Sequence, residues 1–155
     1  MTDKPVRKLC IIASKASLDM AYPPLILANA ARMSGIEVDI FFTFWGLDVI
    51  RTETMDKLHV STVGNPGMHI PTWVGGAPGL EAFATAQMNK QIAELDFPMV
   101  SEFLEILSAS GVRLFACRMS VDMMHLEEED FYEDVEIIGA MEFMEYSEGA
   151  QLLFI

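Results

Sequence analysis

Cys117 is the side chain on which this sequence most directly supports chemistry. It stands in Ala116-Cys117-Arg118-Met119-Ser120-Val121-Asp122, where the apolar run 112–116 reads as a strand and the residues after it as a helical turn. In open α/β sheets, ligands bind beyond the carboxyl ends of the strands, and Cys117 occupies such an end. A thiol there faces backbone N–H groups and the positive end of the helix dipole, and Arg118 adds a neighbouring cation. Both favour thiolate over thiol, and such surroundings bring a cysteine pKa from ~8.5 into roughly the 3.5–7.5 range. The thiolate is the attacking form, and the same field would hold a persulfide anion. The competing reading is a cysteine that fills space, since free cysteine is among the most buried residue types. Ser120 could cap the turn or bond the loop, and Asp122 could orient that loop or simply face water.

The other reactive residue types give weaker patterns. Cys10 lies between Leu9 and Ile11 and reads as core, although a resolving pair with Cys117 stays open if their strands are neighbours. His59, His69 and His125 are dispersed, with no His-x-x-x-His pair and no C-x-x-C, so a zinc site is poorly supported. His69 or His125 could act as base to a cysteine. The methionines, 12 in all, could bind Cu(I) through soft thioethers, but adaptable packing is their commoner role. Gly75-Gly76-Ala77-Pro78-Gly79 precedes a helix yet matches neither a P-loop nor a dinucleotide fingerprint. No cofactor and no metal is expected.

The elements that must position Cys117 alternate in type. The run 9–13 is short and continuously apolar, as in a strand covered on both faces. Ser17 and Asp19 supply helix-start chemistry for a helix to about residue 34, with Pro23 and Pro24 in its opening turns and Gly35 as its stop. That helix is apolar nearly all round, which predicts that it is deeply buried or sandwiched between the sheet and another subunit. A second strand over 36–42 ends in Thr43-Phe44-Trp45-Gly46, followed by a short helix over 47–51. An irregular Gly/Pro/Met loop at about 54–79 reads as a flap over the site. Helices over 80–95 and from Pro98 to about residue 110 precede the third strand, 112–116. Strands at 135–138 and 152–155 flank a helix over 141–148. The expectation is one domain over 1–155, a doubly wound, flavodoxin-like three-layer α/β domain with about five mostly parallel strands.

Composition narrows the partners. The hydrophobic fraction is 52% and the mean hydropathy +0.30, too apolar for a disordered chain. No apolar run reaches the roughly 18 to 20 residues of a membrane span. The surplus apolar surface predicts a homo-oligomer. The basic N-terminal stretch with Lys4, Arg7 and Lys8 precedes an apolar run too short for a secretory signal. The reading is therefore a cytoplasmic protein, in whose reducing surroundings the two cysteines form no structural disulfide. The net charge of −13 is uneven, because residues 119–155 hold 11 acidic and no basic side chains. Such a surface repels phosphate backbones and anionic head groups, so nucleic acid is excluded as partner. A basic protein partner is compatible with it, as is a merely solvated face.

Three segments together carry a resemblance: Ser17-Leu18-Asp19-Met20-Ala21-Tyr22-Pro23-Pro24, Phe41-Phe42-Thr43-Phe44-Trp45-Gly46-Leu47, and Ala116-Cys117-Arg118-Met119-Ser120-Val121-Asp122-Met123-Met124. With the Gly/Pro/Met loop between them, they resemble the DsrE-like branch of the DsrE/DsrF/TusD sulfur-relay superfamily, often labelled peroxiredoxin family protein. The resemblance implies a flavodoxin-like domain forming trimers or hexamers. It also implies a cysteine, here Cys117, that accepts sulfane sulfur or a thiosulfonate group and passes it to a TusA-like or rhodanese-like protein. The pocket wall is then sought in Tyr22, Trp45 and Met119, with His69, Arg118, Ser120 and Asp122 as further candidates. Two rival readings stand beside the carrier: an oligomeric binding or assembly module, and a redox sensor in which Cys10 resolves an oxidised Cys117.

Overall fold

Five parallel strands form one sheet in the order β4-β3-β2-β1-β5. The structure, a computed structural model, describes residues 7–155, and Lys4 of the basic N-terminal stretch lies outside them. The strands are β1 (Lys8–Ala13), β2 (Glu37–Phe42), β3 (Arg113–Cys117), β4 (Val135–Ile138) and β5 (Gln151–Phe154). The helices are α1 (Leu18–Met33), α2 (Thr72–Gly75), α3 (Leu80–Glu94), α4 (Val100–Ala109), α5 (Arg118–Met123) and α6 (Ala140–Tyr146), with 3₁₀ turns at Phe44–Val49, Pro66–Met68 and Glu128–Asp130.

The order of the strands decides which helix covers which face. From β1 to β4 the chain steps across the sheet in one direction, and right-handed crossovers then lay the intervening helices on one side. The connection from β4 to β5 runs back to the far edge, so the same handedness puts α6 on the other side. Side-chain alternation along the strands divides the core accordingly. Leu9, Ile11, Val38, Ile40, Phe42, Leu114 and Ala116 pack with Leu25, Ala28, Leu104 and Leu107 of α1 and α4. Cys10, Phe41, Phe115, Cys117 and Ile138 pack with Phe143 of α6.

The predicted elements are present, with informative differences. α1 buries Leu18, Ala21, Leu25 and Ala28, a 3–4 spacing along one stripe. In the single chain, however, Ile26 and Leu27 on its outer side are exposed. Its end follows the reading, since Gly35 takes the left-handed conformation (φ 73°) that a residue with Cβ adopts at a cost. The turn after β2 begins at Phe44 rather than residue 47 and is 3₁₀, because Thr43 is fastened at once to Ala13 O.

The stretch 54–79 holds a 3₁₀ turn and the one-turn α2, and it is not a flap over Cys117. Its buried anchors, Leu58 and Val60, join the core on the α1 side, opposite the face that receives the Cys117 side chain. His59 O accepts from Leu18 N, and Val60 N donates to Thr85 Oγ1 of α3. Hydrophobic anchors every second residue pull the segment onto the nearest open core, which the crossovers had placed beside α1. α3 buries little beyond Thr85 and leaves Phe83 exposed. A cleft of about 310 Å³ lies beneath it, lined by Leu18, Tyr22, Met55, Ile92, Phe97 and Val100 among others.

Candidate functional site

Cys117 ends β3 and is the N-cap residue of α5, with extended backbone (φ −68°, ψ 115°). It therefore stands at the strand-to-helix junction read from the sequence. The direction of its side chain follows from the two-residue period of the strand. Leu114 and Ala116 point to the α1 side, so Phe115 and Cys117 point to the α6 side. The sulfur enters an apolar cluster with Ile138, its cross-strand partner, and the residue is 5% exposed. No capping hydrogen bond joins it to the first-turn amides of α5. This differs from the expected thiol aimed at the helix dipole, because strand alternation, not the helix, sets the Cα–Cβ vector at this position.

The neighbouring candidates divide into two groups. Those near the junction are Arg118, Met119, Ser120, Asp122 and Trp45. Arg118 turns its guanidinium to the carbonyl oxygen of Ile137 (Nη2–O 2.9 Å), tying α5 to β4. Ser120 is fully buried; its Oγ accepts from Phe44 N at 3.0 Å and lies 3.1 Å from Thr43 Oγ1. That hydroxyl locks the turn carrying Trp45 onto α5. Trp45, next in the chain to Phe44, and Met119, next to Ser120, are both exposed. Asp122 lies exposed on the outer side of α5.

Tyr22 and His69 belong elsewhere. Tyr22 packs edge-on against Phe97 and Phe103, and its hydroxyl donates to Pro98 O at 3.1 Å. It lines the cleft beneath α3, on the opposite side of the sheet from the thiol. His69 ends the Pro66–Met68 turn in a left-handed conformation within the segment that packs against α1 and α3. His59 instead pairs with Glu81 (Nδ1–Oε1 2.8 Å). Among the described residues no three His, Cys, Asp or Glu side chains converge as a metal centre would require.

Cys10 cannot resolve Cys117. β2 lies between β1 and β3, and Cys10 aligns through Asp39 with Arg113, four positions before Cys117. At ~4.8 Å per strand and ~3.3 Å per residue, the two α-carbons are about 16 Å apart. A disulfide needs them within about 7 Å. The Cys10 thiol instead faces Asp39 Oδ2 at 3.8 Å. Burial, then the Asp39 charge, push its pKa up to about 11, so it stays protonated near neutrality.

Sequence reasoning passed over the group that surrounds Cys10. Asp39 is fully buried in β2 and grips Arg113 by two bonds of 2.7 Å, while Lys8 Nζ lies 3.1 Å from its Oδ2. Glu37 adds looser contacts to both cations. The Arg113 guanidinium sits 4.6 Å from the ring centroid of Tyr146, and Lys8 donates to Tyr146 O at the end of α6. The available signal was an aspartate between Val38 and Ile40, in the interior of a strand whose other charged residue, Glu37, stands at its start. A buried carboxylate there demands cations from adjoining strands.

Comparison with known proteins adds to this geometry. A family model described as DsrE/DsrF/DrsH-like matches residues 5–155. The sulfur carrier protein DsrE2 of Allochromatium vinosum is 36% identical over 149 residues, 91% of this chain and 92% of that protein. The Bacillus subtilis protein YrkE is 26% identical over the full length of both chains. Among solved structures, the E. coli protein YchN superposes with a TM-score of 0.59 at 18% identity, covering 97% of this chain and all of that one. MTH1491 of Methanobacterium thermoautotrophicum superposes with a TM-score of 0.55 at 11% identity, covering 96% and 99%. Those two likenesses concern the fold.

Proposed function

We propose that this chain, which belongs to the DsrE/DsrF/DrsH-like family, is a sulfur carrier that takes sulfane sulfur onto Cys117 and hands it to an acceptor thiol. The observation that carries the reading is the 36% identity, over nearly the whole chain, to a protein named as a sulfur carrier. The position of Cys117 at a strand exit supports it, and the raised pKa and full burial of Cys10 leave Cys117 as the thiol suited to exchange.

The chemistry is a thiol–persulfide exchange. The Cys117 thiolate attacks the outer sulfur of a donor R–S–SH. A sulfur–sulfur bond forms to Cys117, the donor's own sulfur–sulfur bond breaks, and RS⁻ leaves. Cys117–S–SH replaces Cys117–S⁻ with no net oxidation or reduction. An acceptor thiolate repeats the step on the outer sulfur and returns Cys117 to its starting form. A TusA-like or rhodanese-like protein is the acceptor in this reading, the setting is the reducing cytoplasm, and the chain works as a trimer or hexamer of copies. Such an assembly would cover Ile26 and Leu27, which the single chain leaves exposed.

The test is intact mass after treatment with inorganic polysulfide. Wild type and Cys10→Ser should each gain sulfur that a reductant removes, while Cys117→Ser should gain none. A gain that survives in Cys117→Ser, or an unmodified wild type, overturns the reading.

A further inference from the structure

A cysteine that is only 5% exposed as a residue gives a donor little access to its thiol unless something moves. The geometry points to α6 as the element that moves: a hinged cover over Cys117, latched at its far end by the Lys8–Asp39–Arg113 cluster through Tyr146. This rests on the carrier reading for its purpose, though not for its test.

Among the described residues, the sheet face that receives Cys117 is covered by α6 alone. Its buried cluster draws residues only from β1, β2, β3, β4 and α6. The opposite face is closed by α1 and α4, with Leu25, Ala28, Leu104 and Leu107 all fully buried. α6 has seven residues, too few to hold its own helical form in water, so its attachment to the sheet decides where it lies. Outward it shows Met141 and Met144, both strongly exposed. Inward it has two rings. Phe143 stacks on Phe41 with centroids 4.4 Å apart, and Tyr146 stacks on Phe115 at 5.2 Å.

The two ends of α6 differ. Its root, Gly139, directly follows Ile138, the cross-strand partner of Cys117. Its far end is where the charges act: Arg113 lies over the Tyr146 ring and Lys8 donates to the Tyr146 carbonyl. Asp39 holds both cations, and all three belong to strands. The latch is therefore fixed in the sheet while the helix it grips lies on a surface. Gly139 and Gly149 flank the helix, as places where the backbone can absorb a swing. Opening lifts Phe143 from Phe41 and Tyr146 from Phe115, uncovering Cys117 while the α1 side stays packed. Tyr146 and Arg113 are positioning residues in this scheme, because they act on the thiol only through the cover.

Site-resolved mass spectrometry of iodoacetamide labelling tests it, since alkylation reads access to Cys117 whether or not sulfur is ever carried. In wild type, the Cys117 rate should be nearly independent of urea below the unfolding transition, the mark of a local opening. Tyr146→Ala should raise that rate about tenfold by removing the stack and the cation–ring contact. Tyr146→Phe should restore it, since the ring and carbonyl remain, and Met144→Ala on the outer side of the same helix should leave it unchanged. A wild-type rate that climbs with urea as steeply as global unfolding overturns the proposal, even if Tyr146→Ala does not fold. So does a folded Tyr146→Ala labelled no faster than wild type. Failure to take up polysulfide sulfur with this labelling pattern intact would sink the carrier reading alone.

Discussion

At Cys10 a thiol, a carboxylate and two cations share one buried corner of the sheet, and the balance there has a measurable consequence. Burial and Asp39 raise the thiol pKa from its ordinary 9.0 to about 11 in the folded chain. Between those values the unfolded state gives up a proton that the native state keeps. Stability therefore falls as pH rises through that window, by up to about 2 kcal/mol at pH 11, with no contribution below pH 9. Cys10→Ala should unfold with a flatter pH dependence between 9 and 11 in urea titrations. An equal slope in both proteins would contradict the assignment. The cysteine at the strand exit was legible from its neighbours in sequence, whereas this corner was not. Asp39 reads as one polar residue in an alternating strand, and its bidentate partner Arg113 lies 74 positions away. Nothing local says that the face it points to is closed.

Among the elements, the turn after β2 is held at a close approach. Gly46 lies so near the end of β1 that an added Cβ would stand 2.2 Å from Ala13 O, a distance no relaxation of a side chain can relieve. The same turn presents Phe44 N to Ser120 Oγ of α5, so pushing it away strains the junction after Cys117 as well. Gly46→Ala should cost about 3 kcal/mol in chemical denaturation, at the upper end of overpacking effects. Gly76→Ala, where the space is open and φ is −87°, should stay within about 0.5 kcal/mol of wild type. Losses of equal size at the two positions would contradict this. Strands and helices were readable because apolar runs and 3–4 spacings are local signals. The seat of 54–79 was not, since a stretch without period carries no sign of which face it will find. Nor was the direction of the Cys117 side chain at its junction, which depends on the strand continuing through residue 117 rather than stopping at 116.

Over the whole molecule, the reversal of strand order leaves the two faces of the sheet unequally protected. One is closed by two long helices, and the other by a helix of seven residues with exposed methionines. Cys117, the proposed nucleophile, sits under the thinner side. Leu152 and Phe154 of β5 are also exposed, and among the described residues no helix is long and apolar enough to cross a membrane. The 11 acidic side chains of residues 119–155 are divided between the two sides: α5 and the turn after it, whose Val121 and Phe131 join the α1-side core, carry seven of them, and the others lie on β4, on α6 and just after it. The proposed function puts a transferable sulfur on Cys117, beneath α6, and following that atom tests it most directly. Protein loaded with isotopically labelled polysulfide, freed of donor and mixed with an excess of acceptor thiol should lose one labelled sulfur per chain, with Cys117 recovered as the free thiol. Label that stays bound, or that peptide mapping locates on Cys10, would contradict it.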